Sequence, residues 1–353
     1  MRFRLPRSPW LRAALVLPFL VASALLLWWR GPDWASVVDA FTIVDWWWIV
    51  AALGLNLLSV VARSLAWRTV VNQALPKPHP PFASVFSAFA VGLLGNAVLP
   101  GRIGELARVA VLTRAQPRGH GHTAALVGTV FAHRLFDFIP AVLLVAYVLV
   151  TAKIPDWAVV SLIAVSGIGG VLFALGVASA RLNRGPAPDI VGPVRQLLRM
   201  ARQGLGVMNA PLSAVVAVFY QALGWFFQLM AVYLAMRAFG IHAPLPAAGL
   251  VLLLMNVATI FPLWPGNIGL LQAAVALPLV SYGVAYPRGF AYGLGLQVVE
   301  MSVGVGVGLL FLAREGLSFA TLKRMPAATE TDEAPGTGEL EEDEVRDRAG
   351  IAG

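Results

Sequence analysis

The sequence predicts an all-α polytopic membrane protein: about six full transmembrane helices plus two re-entrant helical hairpins inserted from opposite sides, in an inverted-repeat-like arrangement. Three observations carry this. Of 353 residues, 58% are hydrophobic and only 12% charged, about half the charge of a soluble domain. Apolar runs reach or exceed the roughly 20 residues needed to cross a hydrocarbon layer of about 30 Å. A Pro-Gly-x-Ile-Gly-x-Leu motif occurs twice, in LPGRIGELAR at 99–108 and in WPGNIGLLQA at 264–273, each time in the middle of an apolar stretch.

The elements follow in chain order. Arg2, Arg4, Arg7 and Arg12 lead into an apolar run at 12–29, laid out like a secretory signal, and Ala22-Ser23-Ala24 offers a cleavage-like triplet. The run continues through Leu25 to Trp29, so the segment reads as an uncleaved signal anchor. Asp33 to Asp45 reads as a short interfacial helix, with Trp46-Trp47-Trp48 as an aromatic anchor at headgroup depth. Further full-length runs lie at about 46–65, 124–150, 157–179, 212–237 and 289–313. Between them, 82–112 and 247–283 are each broken by Pro-Gly into half-length helices too short to cross alone; these are the two hairpins. Residues 195–208 read as a basic amphipathic helix on the cytoplasmic surface. Gly304 and Gly308 read as helix-packing contacts. The tail 326–353 holds nine of the 18 acids and is expected to be disordered, which divides the chain into a membrane domain, 1–325, and that tail.

The membrane domain keeps nine acids against 24 Lys and Arg. Such an excess marks cytoplasmic loops facing anionic lipid, and nucleic acid is not implied. With both hairpins returning to their own side, the N-terminus, Arg68, Lys77, the Arg102 to Arg118 stretch, the Arg181 to Arg202 loop and Arg314 to Arg324 fall in the cytoplasm. Making 82–99 a full span would export the Arg114/Arg118 and Arg181 to Arg202 loops instead. The expectation is therefore a plasma-membrane protein with both termini cytoplasmic, its first hairpin entering from inside and its second from outside. Broken helices of that kind mark an inverted-repeat transporter whose site lies where the breaks meet, because backbone freed at membrane depth must be buried in protein or line a polar cavity. Two unrelated Pro-Gly caps are the plainer alternative.

Few ionisable residues fall where lipid excludes charge: Arg102, Glu105 and Arg108 beside the first break, Arg134 and Asp137 in the run at 124–150, and Glu300 in the last run. An intramembrane charge is a functional-site hypothesis by default. Arg134 and Asp137 share a helix face and can neutralise one another, so a purely structural pair remains open. His133 beside them reads as a hydrogen-bonded packing residue. At the first break, Asn96, Pro100, Gly101, Arg102, Gly104, Glu105 and Arg108 combine a kinked backbone with mixed charge. A helix restarting near Ile103 would turn free N–H groups toward an anion, Arg102 adds a forked donor suited to phosphate, and Glu105 can hold Arg102 or Arg108. The second break offers Asn256, Pro262, Pro265, Gly266, Asn267, Gly269 and Gln272, an uncharged opposite wall, with Glu300 and Gln297 lining it too.

Enzyme signatures are absent: no Gly-rich nucleotide loop, no His-Glu-x-x-His, no Gly-x-Ser-x-Gly elbow, and no carboxylate-rich loop for magnesium and a diphosphate. His120 and His122 are not read as a metal site. No cofactor and no metal are expected, and the absence of cysteine excludes thiolate chemistry.

NAVLPGRIGELARVAVL, at 96–112, resembles the Asn-x-x-x-Pro-x-Arg-x-Gly-Glu-x-x-Arg signature of the lysylphosphatidylglycerol synthase transmembrane family. HRLFD, at 133–137, resembles its Glu-Arg-x-x-Asp element, and PLWPGNIGLLQ, at 262–272, its Pro-x-x-Pro-Gly-x-x-Gly-x-x-Glu element. The resemblance spans about residues 12–320. It implies a bacterial or archaeal membrane protein of the flippase-domain type, a group associated with moving aminoacylated phospholipids, hopanoids or isoprenoid-linked lipids between leaflets. His133 and Gln272 replace two of that family's acids, which weakens any claim for a cationic aminoacyl headgroup. The sequence holds no soluble aminoacyl-tRNA-dependent transferase domain, so it is not expected to make lysylphosphatidylglycerol by itself.

The expected function is translocation of a phosphate-bearing phospholipid or isoprenoid-linked lipid, with Arg102 and Arg108 engaging phosphate and Glu105, Arg134 and Asp137 supporting them. A membrane transferase using Glu105 or Asp137 as base is the enzymatic alternative. A non-transporting partner of an envelope-lipid complex, acting through the acidic tail, is another. A homo-oligomer is compatible with each.

Overall fold

The computed structural model describes residues 32–98, 104–115, 122–182, 210–260 and 267–316, and over these it is all-helical. The helices are α1 (Trp34–Thr42), α2 (Trp46–Ala74), α3 (Phe82–Val98), α4 (Gly104–Arg114), α5 (His122–Thr151), α6 (Asp156–Leu182), α7 (Pro211–Ala238), α8 (Leu245–Ile260), α9 (Leu270–Val280) and α10 (Tyr286–Arg314). Five of them, α2, α5, α6, α7 and α10, are long and apolar enough to cross a membrane. The expected span at 12–29, the surface helix at 195–208 and the tail at 326–353 lie outside the described residues.

Local chemistry sets the boundaries. Asp33 caps α1, accepting from the Ala35 amide (3.2 Å) and from Ser36 Oγ (2.6 Å), and Asp45 caps α2 by accepting from the Trp47 amide. Trp46, Trp47 and Trp48 are all exposed. The sequence reading ended the second span at 65, but α2 runs on to Ala74. Arginine is a good helix former, so Arg63 and Arg68 interrupt the hydropathy and not the helix. The stop comes at Leu75, in extended conformation ahead of Pro76 and Pro78.

The helices fall into two matching sets. Helices α2, α3, α4 and α5 have 29, 17, 11 and 30 residues; α7, α8, α9 and α10 have 28, 16, 11 and 29. The first helices of the two sets, α2 and α7, run antiparallel along their whole length. Contacts tie Asp45 N to Ala238 O (3.0 Å), Ser59 Oγ to Gly224 O (2.8 Å) and Gln73 Nε2 to Ser213 Oγ (2.9 Å). Ser59 and Gly224 are 165 positions apart, as are the hydrogen-bonded Arg63 and Gln228, and so are Pro100 and Pro265 of the repeated motif. Equivalent positions of two repeats touch only beside a two-fold axis, so the halves are related by a pseudo-two-fold that inverts one against the other.

The short helices form two pairs, α3–α4 and α8–α9, and one member of each, α3 and α9, packs against α10. The α3–α4 pair meets its C-terminal half, through Ser87 Oγ to Glu315 Oε1 (2.6 Å) and the Phe86 and Phe311 rings (5.2 Å). Helix α9 meets its N-terminal half, where Gly289 abuts Ala276 and Gly293 abuts Gln272. The pairs thus enter the bundle from opposite ends, and each end has its own apolar core. One is centred on Trp67, Val85, Leu94 and Leu112; the other on Met236, Leu250, Leu279 and Tyr292.

Gly308 behaves as the sequence reading expected, but Gly304 does not. A Cβ on Gly308 would fall 2.5 Å from Leu94 Cβ and 2.9 Å from Ala90 O, whereas one on Gly304 meets nothing within 4 Å. Gly304, four residues earlier, has open space where a Cβ would point, so no close approach there requires glycine. Gly308→Val is expected to part α10 from α3 at a cost of about 1–3 kcal/mol, and Gly304→Ala to leave thermal unfolding in detergent unchanged or slightly raised. Equal melting of the two variants would contradict this.

Candidate functional site

The first helix pair approaches closely because three glycines line the seam. A Cβ on Gly95 would stand 2.8 Å from Gly104 Cα, and one on Gly92 would stand 3.0 Å from Arg108 Cβ. That approach carries the first turn of α4, and with it Glu105 and Arg108, into the bundle. Arg108 is 4% exposed. Its guanidinium lies over the Trp67 ring at 4.8 Å and the Phe89 ring at 5.7 Å and pairs with Glu105 at 2.8 Å. Its charge is spent inside the protein.

Glu105 also pairs with Arg134 of α5, and Arg134 reaches Asp137 at 3.5 Å. Asp137 accepts from Gln221 and from Trp225 Nε1 (3.0 Å), both on α7. Trp225 is covered by the Arg63 guanidinium, 5.4 Å above its ring. Arg63 donates to Gln228 Oε1, and Gln228 Nε2 donates to Glu300 Oε1 at 3.2 Å. One polar chain therefore crosses the bundle from α4 through α5, α7 and α2 to α10. Most of it is screened, with Glu105 and Asp137 side chains 20% and 16% exposed, but the Arg134 side chain is 48% exposed. His133 is buried at 3%; its Nε2 donates to the Arg63 carbonyl (3.2 Å) and its ring meets Phe89 edge-on.

The second break has a different character. Asn267 adopts φ 46° and donates from Nδ2 to Ala258 O. Gly269, at φ 93°, donates its amide to Gln272 Oε1 at 2.6 Å, and Gln272 Nε2 donates to Gln297 Oε1 at 2.6 Å. Gln272 is fully buried. The polar groups here brace the backbone. Gln297 and Glu300 were expected to line one wall together, yet they turn to different partners, Gln272 and Gln228.

Of the residues singled out from sequence, Glu105, Arg108, Arg134 and Asp137 come together in one cluster. Glu300 joins it through Gln228. Asn96 packs beside Gly104, its buried Oδ1 without a hydrogen-bond partner. Asn267, Gly269 and Gln272 form the separate amide set, one turn along α10 from Glu300. Pro100, Gly101, Arg102, Pro265 and Gly266 lie outside the described residues. Sequence reasoning missed Arg63, Trp67, Gln221, Trp225 and Gln228. Gln221, Trp225 and Gln228 stand at i, i+4 and i+7 of an apolar helix, a polar stripe on one face that was open to detection.

Among the described residues, no group of three His, Asp or Glu side chains is placed to hold a metal ion. A cavity of about 790 Å³ opens at the end of the bundle where α1 lies, lined by Asp39, Thr42, His242, Tyr282 and Arg288 among others. None of the residues singled out above lines it.

A family model described as the lysylphosphatidylglycerol synthase TM region matches residues 13–321. Neither a curated protein nor a solved structure matches the chain. With that match spanning most of the sequence and five long apolar helices beneath it, the chain belongs to the lysylphosphatidylglycerol synthase transmembrane-region family and is a multi-pass membrane protein of lipid metabolism.

Proposed function

We propose that the protein is a lipid translocase that carries a phosphate-bearing headgroup between leaflets while the acyl or isoprenoid tails stay in the bilayer. In this reading the α3–α4 and α8–α9 pairs are re-entrant hairpins inserted from opposite faces of the plasma membrane, and both termini are cytoplasmic. One observation carries it: a half-exposed guanidinium, Arg134, held by two carboxylates at the middle of a bundle of membrane-spanning length. Charge at such depth is expensive and is kept where it meets a polar passenger. Arg134 is then the cation that faces the headgroup, and Arg108 is the internal brace that holds Glu105 in place.

The same contacts weigh against a transferase. Glu105 is engaged by two arginines, and Asp137 accepts from Gln221 and Trp225 besides pairing with Arg134. Neither is free to act as a base.

In proteoliposomes carrying fluorescent phosphatidylglycerol, the wild type is expected to expose inner-leaflet label to an external quencher, and Arg134→Gln to lose at least tenfold in rate. A variant as fast as the wild type would overturn the assignment. Lipids that co-purify in mild detergent, compared by mass spectrometry between the two, give an independent reading.

A further inference from the structure

Every arginine in the polar chain except one has a carboxylate on it. Arg108 pairs with Glu105, and Arg134 with Glu105 and Asp137. Arg63 has none within 4.0 Å among the described residues, although two acids stand one side chain away: Asp137 beyond Trp225, and Glu300 beyond Gln228. Its Nε is buried without a hydrogen-bond partner. The rest of the group is fixed, because Gln228 accepts from Nη2 and the Trp225 ring lies beneath the guanidinium.

The position is as distinctive as the charge. Ser59 and Gly224 meet at the pseudo-two-fold, and Arg63 and Gln228, one turn on, reach across it to each other. In an inverted repeat that axis lies in the membrane plane at mid-depth, so Arg63, one turn from the axis and reaching back across it, lies close to mid-depth. The close passage of its stem over α7 depends on Gly224, where a Cβ would fall 2.7 Å from Arg63 Cγ and 3.4 Å from Nε.

A guanidinium at low dielectric is costly when its nearest acids, Asp137 and Glu300, act on it only from beyond ion-pair distance, and the cost is further offset when an anion arrives in direct contact. A forked donor held rigid by an amide and a ring suits a phosphate oxygen. We infer that Arg63 is a second anion-binding residue, the one that holds the phosphodiester of a lipid headgroup at the midpoint between leaflets, after Arg134 has admitted it. This rests on the translocase reading and deepens it: the phosphate is what the protein grips at mid-depth, so a lipid without it is not retained.

Native mass spectrometry of the full-length protein, titrated with phosphatidylglycerol, with diacylglycerol and with inorganic phosphate, tests it. The wild type is expected to retain phosphatidylglycerol and not diacylglycerol. Arg63→Gln should weaken retention by about 10- to 100-fold, and Arg63→Lys should recover part of it. Gly224→Ala keeps every charge but displaces the guanidinium, and should weaken binding too; Gly304→Ala is the control. Wild-type affinity in both Arg63→Gln and Gly224→Ala would overturn the inference, and continued movement of fluorescent lipid in those variants would show that the translocase reading survives it. Binding of inorganic phosphate alone, with phosphatidylglycerol ignored, would keep the anion site and overturn its lipid occupant. Equal retention of diacylglycerol would overturn the phosphate requirement.

Discussion

Glu105→Ala is expected to destabilise the protein by about 3–5 kcal/mol, the usual cost of removing one partner from a buried ion pair. The penalty falls mainly on Arg108. That side chain is 4% exposed and enclosed by two aromatic rings, so after loss of Glu105 its charge has no carboxylate and no route to water. Arg134 suffers less, since it keeps Asp137 and is half exposed. Thermal unfolding in detergent, followed by intrinsic fluorescence, measures the effect. A cycle with Arg108→Met separates the two sources: if the unpaired Arg108 is the cause, the double variant regains stability relative to Glu105→Ala. Melting of Glu105→Ala at the wild-type temperature would show that the pair contributes nothing.

Gly104→Ala should be nearly as damaging, for a steric reason. Its added Cβ would overlap the Gly92 carbonyl and stand 2.6 Å from both the amide nitrogen and Oδ1 of Asn96. Those are backbone and short side-chain atoms that cannot swing aside, so α3 and α4 must separate. Overpacking of this kind costs about 1–3 kcal/mol, and here it also draws Glu105 away from Arg134. The expected result is a lower yield of monodisperse protein and a lower melting temperature; a Gly104→Ala variant that folds and melts normally would refute the close packing. The matching glycine of the second motif, Gly269, serves a different end. It holds φ 93°, which an L side chain rarely adopts, and delivers its amide to Gln272.

How much of this was legible in the sequence follows from what each signal measures. Hydropathy reports lipid-facing surface, so the five long runs among the described residues gave their helices, but it misplaced the end of α2, where Arg63 and Arg68 face protein and not lipid. The Pro-Gly motifs marked both breaks because backbone chemistry is local. Charges in apolar runs stood out, and four of them proved to be neighbours. Gln221, Trp225 and Gln228 did not stand out, because an uncharged polar residue in a membrane helix is common and its meaning depends on what faces it. The partners of Gln297 and Glu300 depend on crossing geometry, since residues three apart on a helix point about 60° apart and here reach different helices. No spacing rule within one helix contains that information.

The two versions of the motif that repeats along the chain, one charged and one nearly neutral, have a bearing on stoichiometry. Two identical halves would put the same residue on both sides of the axis, and two arginines there would repel. Glutamine at 228 opposite Arg63 removes that conflict and lets one member donate while the other accepts. The same division holds at the breaks, with Glu105 and Arg108 in one and only amides in the other. The two halves therefore carry a single set of charges between them, which on the translocase reading serves one anionic headgroup per chain and not two.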